Sequence, residues 1–526
     1  MIPLPPMPSI LRNAVSNSIA LTIVALVLFL PLLHAQDSSN PQNLADPGIR
    51  DASRFDPKRP LDRELQTNVA SPFTLVAVGD CIISRPLSQY ASRQPDFASV
   101  LELLRKGDAT YGNMETSILD IREFKGFPYT GPDDVPLIAD PSVARDLATM
   151  GFDLLSRSNN HALDWGLEGM RETSHWLDQA GLVHAGTGED RGLARAAHYY
   201  ESKKGRIALV SMASTFPPAS DALSSRGGAP GRPGINALTL KKTTIVPASA
   251  MAELVHLVHT LYPNYKEPLD PQAPKSGAKT TNPSKLSLFG NEFELGDTLS
   301  YRYEMDPIDL SEILHNIRQG KQHSDFLIAT IHSHEPATST APKPATDFAD
   351  TPAPFLRDLA RAAIDSGADA FITTGIHHLG PIEVYKGRPI FYGLGDFFWS
   401  DIQEPMPADI YQLSRQTLAN AFANPDRATD ADLTNAINAE SFAGEPPFQS
   451  IVTESRYDQG RLAELRLYPV DLGYGMKLTE SGIPRVASAA KALEILKRLQ
   501  SISAPYGTKI EIESVPQFNY VGIIRP

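Results

Sequence analysis

Side chains that bind metal ions or move protons recur along this chain, each time directly after a short β-rich run. Asp80 follows Phe73–Val78, Asn113 and Glu115 follow Ala109–Tyr111, and Asn159-Asn160-His161 follows Phe152–Ser156. Further on, His332 and His334-Glu335 follow Phe326–Ile331, and His377-His378 follows Ala370–Thr373. Taken singly, each cluster has an ordinary reading. An Asp after a strand caps a turn, loop Asn and Glu are solvated, and a lone His is usually a surface or satisfied core residue. Position sets them apart: five of the 13 histidines fall in three of these strand-end clusters. In α/β sheets the loops at the carboxyl ends of strands line the ligand crevice, which predicts that the five positions converge on one site. Carboxylate, amide and imidazole donors together suit borderline divalent ions such as zinc, manganese or iron.

The elements that must position these residues follow from periodicity. Helices are expected at Phe97–Leu104, Ser142–Met150, Leu167–Ala180 with Gly181 as C-cap, Phe355–Ser366 and Ala487–Gln500. Strands are expected at Ile207–Met212, Leu465–Val470 and Lys509–Glu513, with a hairpin of Ile382–Tyr385 and Pro389–Tyr392 around Lys386-Gly387-Arg388. The alternation of strand and helix predicts an α/β core. Two segments break it, about 216–295 and about 401–448, and both read as loop or helix insertions over one face. The expected organisation is a signal peptide over 1–35 and a linker over 36–70. A single domain then covers 71–475 with both insertions, and 476–526 is its helix-strand extension.

Composition narrows the partners. With 42% hydrophobic and 21% charged residues, disorder and coiled coil are excluded. The net charge is -13, and because residues 1–35 contribute one Arg and no acid, the remainder carries 47 basic against 61 acidic residues, or -14. That balance argues against nucleic acid and against a polybasic membrane patch, and a polyanionic substrate would need a bound cation to draw it in. The single Cys81 excludes an intrachain disulfide and a thiolate zinc cluster. After Arg12, the apolar run Ile19–Leu33, broken only by Thr22 and Pro31, leads to Leu33-His34-Ala35 before Gln36. This reads as a cleaved export signal, so a periplasmic or extracellular location is expected. An uncleaved anchor is the alternative, and this segment would then be the membrane contact.

Several motifs carry a family resemblance. Gly79-Asp80, Gly112-Asn113-Met114-Glu115, the segment from Asn159 to Gly166, His332-Ser333-His334-Glu335 and the segment from Pro381 to Phe397 occur in that order. The chain thereby resembles the CapA family of bacterial capsule and poly-γ-glutamate synthesis proteins, similar in fold to calcineurin-like metallophosphoesterases. The resemblance implies a sandwich of two mixed sheets flanked by helices. It also implies metal ligands at Asp80, Glu115 or Asn113, Asn160, His332 and His377, with His161 as the acid that protonates a leaving oxygen. One or two divalent ions (Mn, Zn or Fe) would clamp a phosphoryl group and acidify a water. The expected partners are an anionic polymer or phosphoester substrate and the envelope biosynthesis machinery.

The chain departs from that pattern in places. The family's fifth motif, commonly Gly-His-x-Pro-His, reads Gly375-Ile376-His377-His378; only His377 matches, which leaves His334 or His378 as the substitute ligand. Cys81-Ile82 after Asp80 replaces the Asp-x-His of typical metallophosphoesterases, and Asp396 stands where Asn is more common. Arg85, just after the first motif, is a candidate for holding a phosphate or carboxylate. Three readings remain at this point. They are a protein of anionic polymer synthesis, export or attachment, a metal-dependent phosphoesterase with an unrelated substrate, and a non-catalytic polymer-binding protein.

Overall fold

The structure is a computed structural model, and it describes residues 67–129, 136–264, 283–337, 350–400, 406–441 and 448–526. The expected signal peptide, and the expected linker up to residue 66, lie outside the described residues.

Period-2 alternation divides each central strand between two cores. In the Phe73–Ile83 strand, Phe73, Leu75 and Ala77 enter one apolar cluster while Val76 and Val78 enter another. In the Gly205–Ala213 strand, Ile207 and Leu209 join the first cluster, whereas Ala208, Val210 and Met212 face a third. The Phe326–His332 strand divides the same way, with Phe326 and Ile328 on one side and Leu327, Ala329 and Ile331 on the other. The first cluster therefore lies between two sheets. Helices close the outer faces: Pro95–Lys106 and Ser142–Met150 over one sheet, Pro307–Gln322 and Pro354–Asp365 over the other. The fold is mixed α/β, with mixed sheets packed between helices. At the centre Phe73, Phe326 and Tyr457 stack with ring centroids 4.9 to 6.1 Å apart. Truncating Phe326 to Ala would cost about 3–5 kcal/mol there.

One sheet runs in the order Glu511–Val515, Asn519–Ile524, Arg461–Asp471, Gln449–Asp458, Phe73–Ile83, Ala109–Met114, Leu154–Ser156, Val183–Ala185. The other runs Ile382–Tyr385, Arg388–Phe391, Ala370–Thr374, Phe326–His332, Gly205–Ala213, His198–Ser202. The Phe73–Ile83 strand changes partner midway along one edge. Residues 73–77 pair antiparallel with Gln449–Asp458, and residues 80–83 pair parallel with the Asp396–Ser400 strand. Its other edge carries a register shift between Ala77 and Asp80. Gly79 sits at the changeover, where a Cβ would lie 1.7 Å from the Gly395 carbonyl oxygen, so no other residue fits. The irregularity re-aims the strand at the residue that matters, Asp80.

Three features differ from the sequence-based expectation. The strands run past their apolar stretches, so Asp80, Asn113 and His332 lie within strands and not after them. Their polar side chains are buried and hydrogen-bonded, which lets ladder pairing continue where hydrophobicity stops. The insertion expected over 216–295 as loop and helix contains strands of its own. Lys285–Leu288, Asn291–Leu295, Leu240–Val246 and Ser300–Met305 form a four-stranded sheet, with the Ala248–Leu261 helix on a small apolar cluster. Finally, the expected single strand near 509–513 is one arm of a hairpin, Glu511–Val515 with Asn519–Ile524. The second insertion is helical (Ala408–Leu413, Arg415–Ala421, Asp430–Ser441) around Met406, Ile410, Leu418 and Leu433. Among the described residues no helix is long and apolar enough to cross a membrane.

Candidate metal centre

The carboxyl ends of parallel strands from both sheets meet above the central core. There the apolar packing gives way to polar ties: Tyr111 Oη is 2.7 Å from Thr330 Oγ1 and 2.8 Å from Ser156 Oγ. One layer higher, Asp80 links the sheets. Its Oδ1 accepts from Asn113 Nδ2 at 2.7 Å and its Oδ2 from the Gly375 backbone N–H at 2.9 Å. His332 ends its strand with Nδ1 3.1 Å from Thr374 Oγ1 and 3.3 Å from Asn113 Nδ2, and with Nε2 3.0 Å from His334 Nε2. Gly375 has φ +94°, and a Cβ there would lie 2.8 Å from His334 Cδ2 and 2.9 Å from His332 Nε2. The close fit of the two imidazoles therefore depends on that glycine.

The loop after His332 is pinned by hydroxyls. Thr215 Oγ1 accepts from the His334 backbone N–H at 2.8 Å, and Glu335 accepts from Ser214, Thr215 and Ser333 at 2.6, 2.8 and 2.6 Å. His377 has φ +51°, a conformation uncommon outside glycine. Its Nδ1 is 2.8 Å from Asp396 Oδ1, and Asp396 pairs in register with Asp80 across the strand changeover.

Glu115, immediately after the Ala109–Met114 strand, is 1% exposed. One of its oxygens lies 3.6 Å from His332 Nε2 and 3.9 Å from His161 Nε2, yet neither oxygen has a hydrogen-bond partner. Asp396 Oδ2 and Asn160 Oδ1 are likewise buried without partners. Such orphaned acceptors are costly unless a cation meets them. Three overlapping groups could supply its ligands: Asp80, Glu115 and His332; Asp80, His377 and Asp396; and Glu115, His334 and His377, with ligand atoms within 4.8 Å of one another in each. The oxygen and imidazole donors, and the carboxylate aimed at nothing else, fit a divalent ion.

Electrostatics point the same way. Burial, and then the Asp80 charge, push the Glu115 carboxyl well above its usual range. Burial also raises Asp80, against the opposing pull of His377. His332 and His334 are driven well below the ordinary imidazole value by desolvation and by the neighbouring imidazoles, which leaves them neutral and able to ligate. For His377 burial acts downward, but Asp396, Glu115 and Asp80 outweigh it and lift the ring to about 10, so that in the metal-free protein it holds a proton that a bound ion would displace. Asp396 itself rises to about 6 through burial, partly offset by His377.

Of the residues singled out in the sequence, Asp80, Glu115, His332 and His377 come together in these groups. His334 joins them, whereas His378 does not: its Nδ1 is 2.5 Å from the Ile376 carbonyl oxygen. Asn113 does not present a free donor to a metal. Its Oδ1 accepts from Ser156 Oγ at 2.8 Å and Asn159 Nδ2 at 3.4 Å while its Nδ2 serves Asp80, so the amide orients the neighbours. His161 is held with Nδ1 2.8 Å from Asp164 Oδ2, which turns Nε2 toward Glu115. Arg85 stands apart from the cluster, bonded to Tyr90 Oη at 2.8 Å and the Thr479 carbonyl at 3.1 Å. Sequence reasoning missed Asp164 and Asp396 as partners of His161 and His377. Asp164 was legible as a carboxylate one helical turn beyond His161, but Asp396 required knowing which strands are neighbours.

Residues 74–400, which hold every member of this cluster, match the family described as bacterial capsule synthesis protein PGA_cap. The uncharacterized protein y4sH of Sinorhizobium fredii is 42% identical over 489 residues, covering 90% of this chain and 98% of its own. The PGA biosynthesis protein CapA of Bacillus subtilis is 22% identical over 323 residues, 61% of each chain. The capsule biosynthesis protein CapA of Bacillus anthracis is 22% identical over 327 residues, 62% of this chain and 59% of its own. With the family match covering more than half of the chain and the whole cluster, this chain belongs to the bacterial capsule synthesis protein PGA_cap family.

Proposed function

We propose that this protein acts outside the cytoplasm in the synthesis, export or attachment of an anionic capsular polymer such as poly-γ-glutamate, using one or two divalent ions. Asp80, Glu115, Asn160, His332, His334, His377 and Asp396 would hold the metal. The observation that carries this reading is the Glu115 carboxylate, buried without a hydrogen-bond partner among four imidazoles (His161, His332, His334 and His377) and two further carboxylates (Asp80 and Asp396). Family membership and the names of the two CapA relatives support the capsular role. In fold, a two-sheet sandwich with its polar cluster at the strand carboxyl ends fits the metallophosphoesterase type.

Bound divalent ions would supply Lewis acidity and neutralise the charge of an anionic substrate, which an acidic chain otherwise repels. The protein's own residues do the rest. Asp164 accepts from Nδ1–H of His161, which leaves Nε2 as the atom that carries a proton toward the site. A protonated Nε2 would deliver that proton to a leaving oxygen or nitrogen, and Asp164 would stabilise the imidazolium. Asp396 fixes the ring orientation of His377, and Asn113 that of Asp80.

The test is to incubate manganese-loaded protein with synthetic poly-γ-glutamate and with bis(p-nitrophenyl) phosphate, following chain length and nitrophenol release. Metal-dependent change in the polymer, lost in His161→Ala, is the expected result. Turnover of the phosphodiester alone would move the assignment to a phosphoesterase of unrelated substrate. Metal-independent binding with no turnover of either would support a non-catalytic polymer-binding protein.

A further inference from the structure

The metal centre does not end at His377. The His377 ring meets Trp399 edge-on, with centroids 5.4 Å apart, and Trp399 Nε1 is 3.5 Å from Asn438 Oδ1. Asn438 lies on the Asp430–Ser441 helix of the second insertion and also lines a cavity of about 180 Å³. The opposite wall is the loop that follows the Arg461–Asp471 strand, tied back by the Trp399 backbone N–H to the Gly482 carbonyl. Trp399 thus bridges the metal ligand His377 and Asn438, a residue of the cavity lining.

The lining has a definite chemistry. Asn435 and Asn438, three residues apart on one helix face, present two carboxamides, and Ser481 adds a hydroxyl. Phe448 and Tyr474 meet edge-to-face at 5.3 Å, and Met476 lies beside them. Tyr474 is 47% exposed and Met476 44%, so apolar surface is held open at this mouth. Among the described residues no Lys, Arg, Asp or Glu lines the cavity. A carboxylate or phosphate entering it would lose hydration with no cation to replace the water. Carboxamides and a hydroxyl both donate and accept, which suits hydroxyl and acetamido groups, while aromatic faces pack against the C–H face of a sugar ring. The volume exceeds the roughly 150 Å³ of an apolar cavity that admits benzene, so a six-membered ring fits.

We propose that this cavity is a saccharide subsite, which takes one uncharged sugar residue of a glycan chain and holds it next to the metal centre. Its place in the substrate path rests on the function proposed above; the binding of sugar does not. It assigns the second insertion a task, to supply the helix that builds the site.

The experiment is calorimetric titration of the full chain, purified in mild detergent, with the trimer of N-acetylglucosamine and, in parallel, with tri-γ-glutamate. Saturable binding of the sugar trimer is expected, weakened at least tenfold by Tyr474→Ala and by Asn435→Ala/Asn438→Ala, and unchanged by Glu115→Gln. Tyr474 sits on an exposed turn, and unchanged melting curves for its variant would show that the fold is retained. Absence of binding, binding indifferent to both variants, or tri-γ-glutamate binding as tightly at the same residues would overturn the proposal. Loss of sugar binding in Glu115→Gln would also overturn it, by moving the ligand to the metal centre. Sugar binding that persists in a protein shown to hold no metal would leave the subsite standing while the proposed function fails.

Discussion

Replacing Glu115 by Gln is expected to make the metal-free protein more stable and to remove most of the stabilisation that metal confers. The wild-type carboxyl is 1% exposed, with no partner on either oxygen. An unsatisfied buried polar group costs about 1–3 kcal/mol, and a charged one more. Gln keeps the shape and stays polar, so the metal-free variant should gain only the extra cost of the charge, on the order of 1–3 kcal/mol. Unfolding entropy of about 2.1 cal/mol/K per residue, taken over 526 residues, comes to roughly 1.1 kcal/mol per degree, so the gain is about 1–3 °C in melting temperature. A divalent ion at a hundred times its Kd would stabilise wild type by about 2.7 kcal/mol, or about 2–3 °C, and the variant by much less.

The pH dependence follows from the direction of the Glu115 shift. Its folded-state pKa is raised, by burial first and by Asp80 second, so the folded chain holds this proton more tightly than the unfolded one. The contribution is complete below the ordinary value of 4.5 and is lost as pH rises through the raised value. The advantage of the metal-free variant over wild type should therefore grow toward alkaline pH. Differential scanning calorimetry in chelator and in excess manganese, at pH 6 and pH 8.5, reads both effects. A variant less stable than wild type in chelator, or one that gains as much from manganese, would refute the reasoning.

Other sites give independent outcomes. His161→Ala should lower turnover about 10²–10⁴-fold with metal content intact, and Asp164→Asn should lower it less while moving the pH profile; kinetics with metal analysis decides, and full turnover in His161→Ala removes that residue from the chemistry. Gly375→Ala forces a Cβ to 2.8 Å from His334 and 2.9 Å from His332, so metal affinity should fall about 10–100-fold, and a chelator competition showing unchanged affinity contradicts the packing described. His184, away from the cluster, is held down to about 4 by burial and then by Arg157. Its contribution to stability is complete above pH 6.5 and is lost as pH falls toward 4, so His184→Gln should flatten the melting curve across that window. Parallel pH slopes in the two proteins would dispose of that idea.

The sequence carried the central strands and the residues at their ends, because both have local signatures. The run Phe326–Ile331 is apolar save for Thr330 since helices and a second sheet cover its two faces, and in five such runs ligand-type residues stand where the apolar stretch stops. The Ser142–Met150 helix and the Lys386-Gly387 turn, both residues of which have positive φ, were likewise written in local periodicity and turn chemistry. What escaped was non-local. That Asp396 lies beside Asp80 follows from a strand changing partner at Gly79, and no window of residues contains both. The choice of His334 over His378 depended on Gly375 and Thr215, which follow different strands. Asn113 has the residue type of a ligand, and only its hydrogen bonds to Ser156, Asn159 and Asp80 reveal an orienting role. The small sheet of 240–305 was hidden because its strands are half-exposed and lack clean alternation.

The central claim is that the strand ends build one metal site. It is tested most directly by elemental mass spectrometry on the full chain after loading with manganese, zinc or iron, alongside Asp80→Ala and His334→Ala. The account predicts one or two ions per chain in wild type and loss of metal in both variants. Wild type that takes up no metal, or metal retained in both variants, would contradict it.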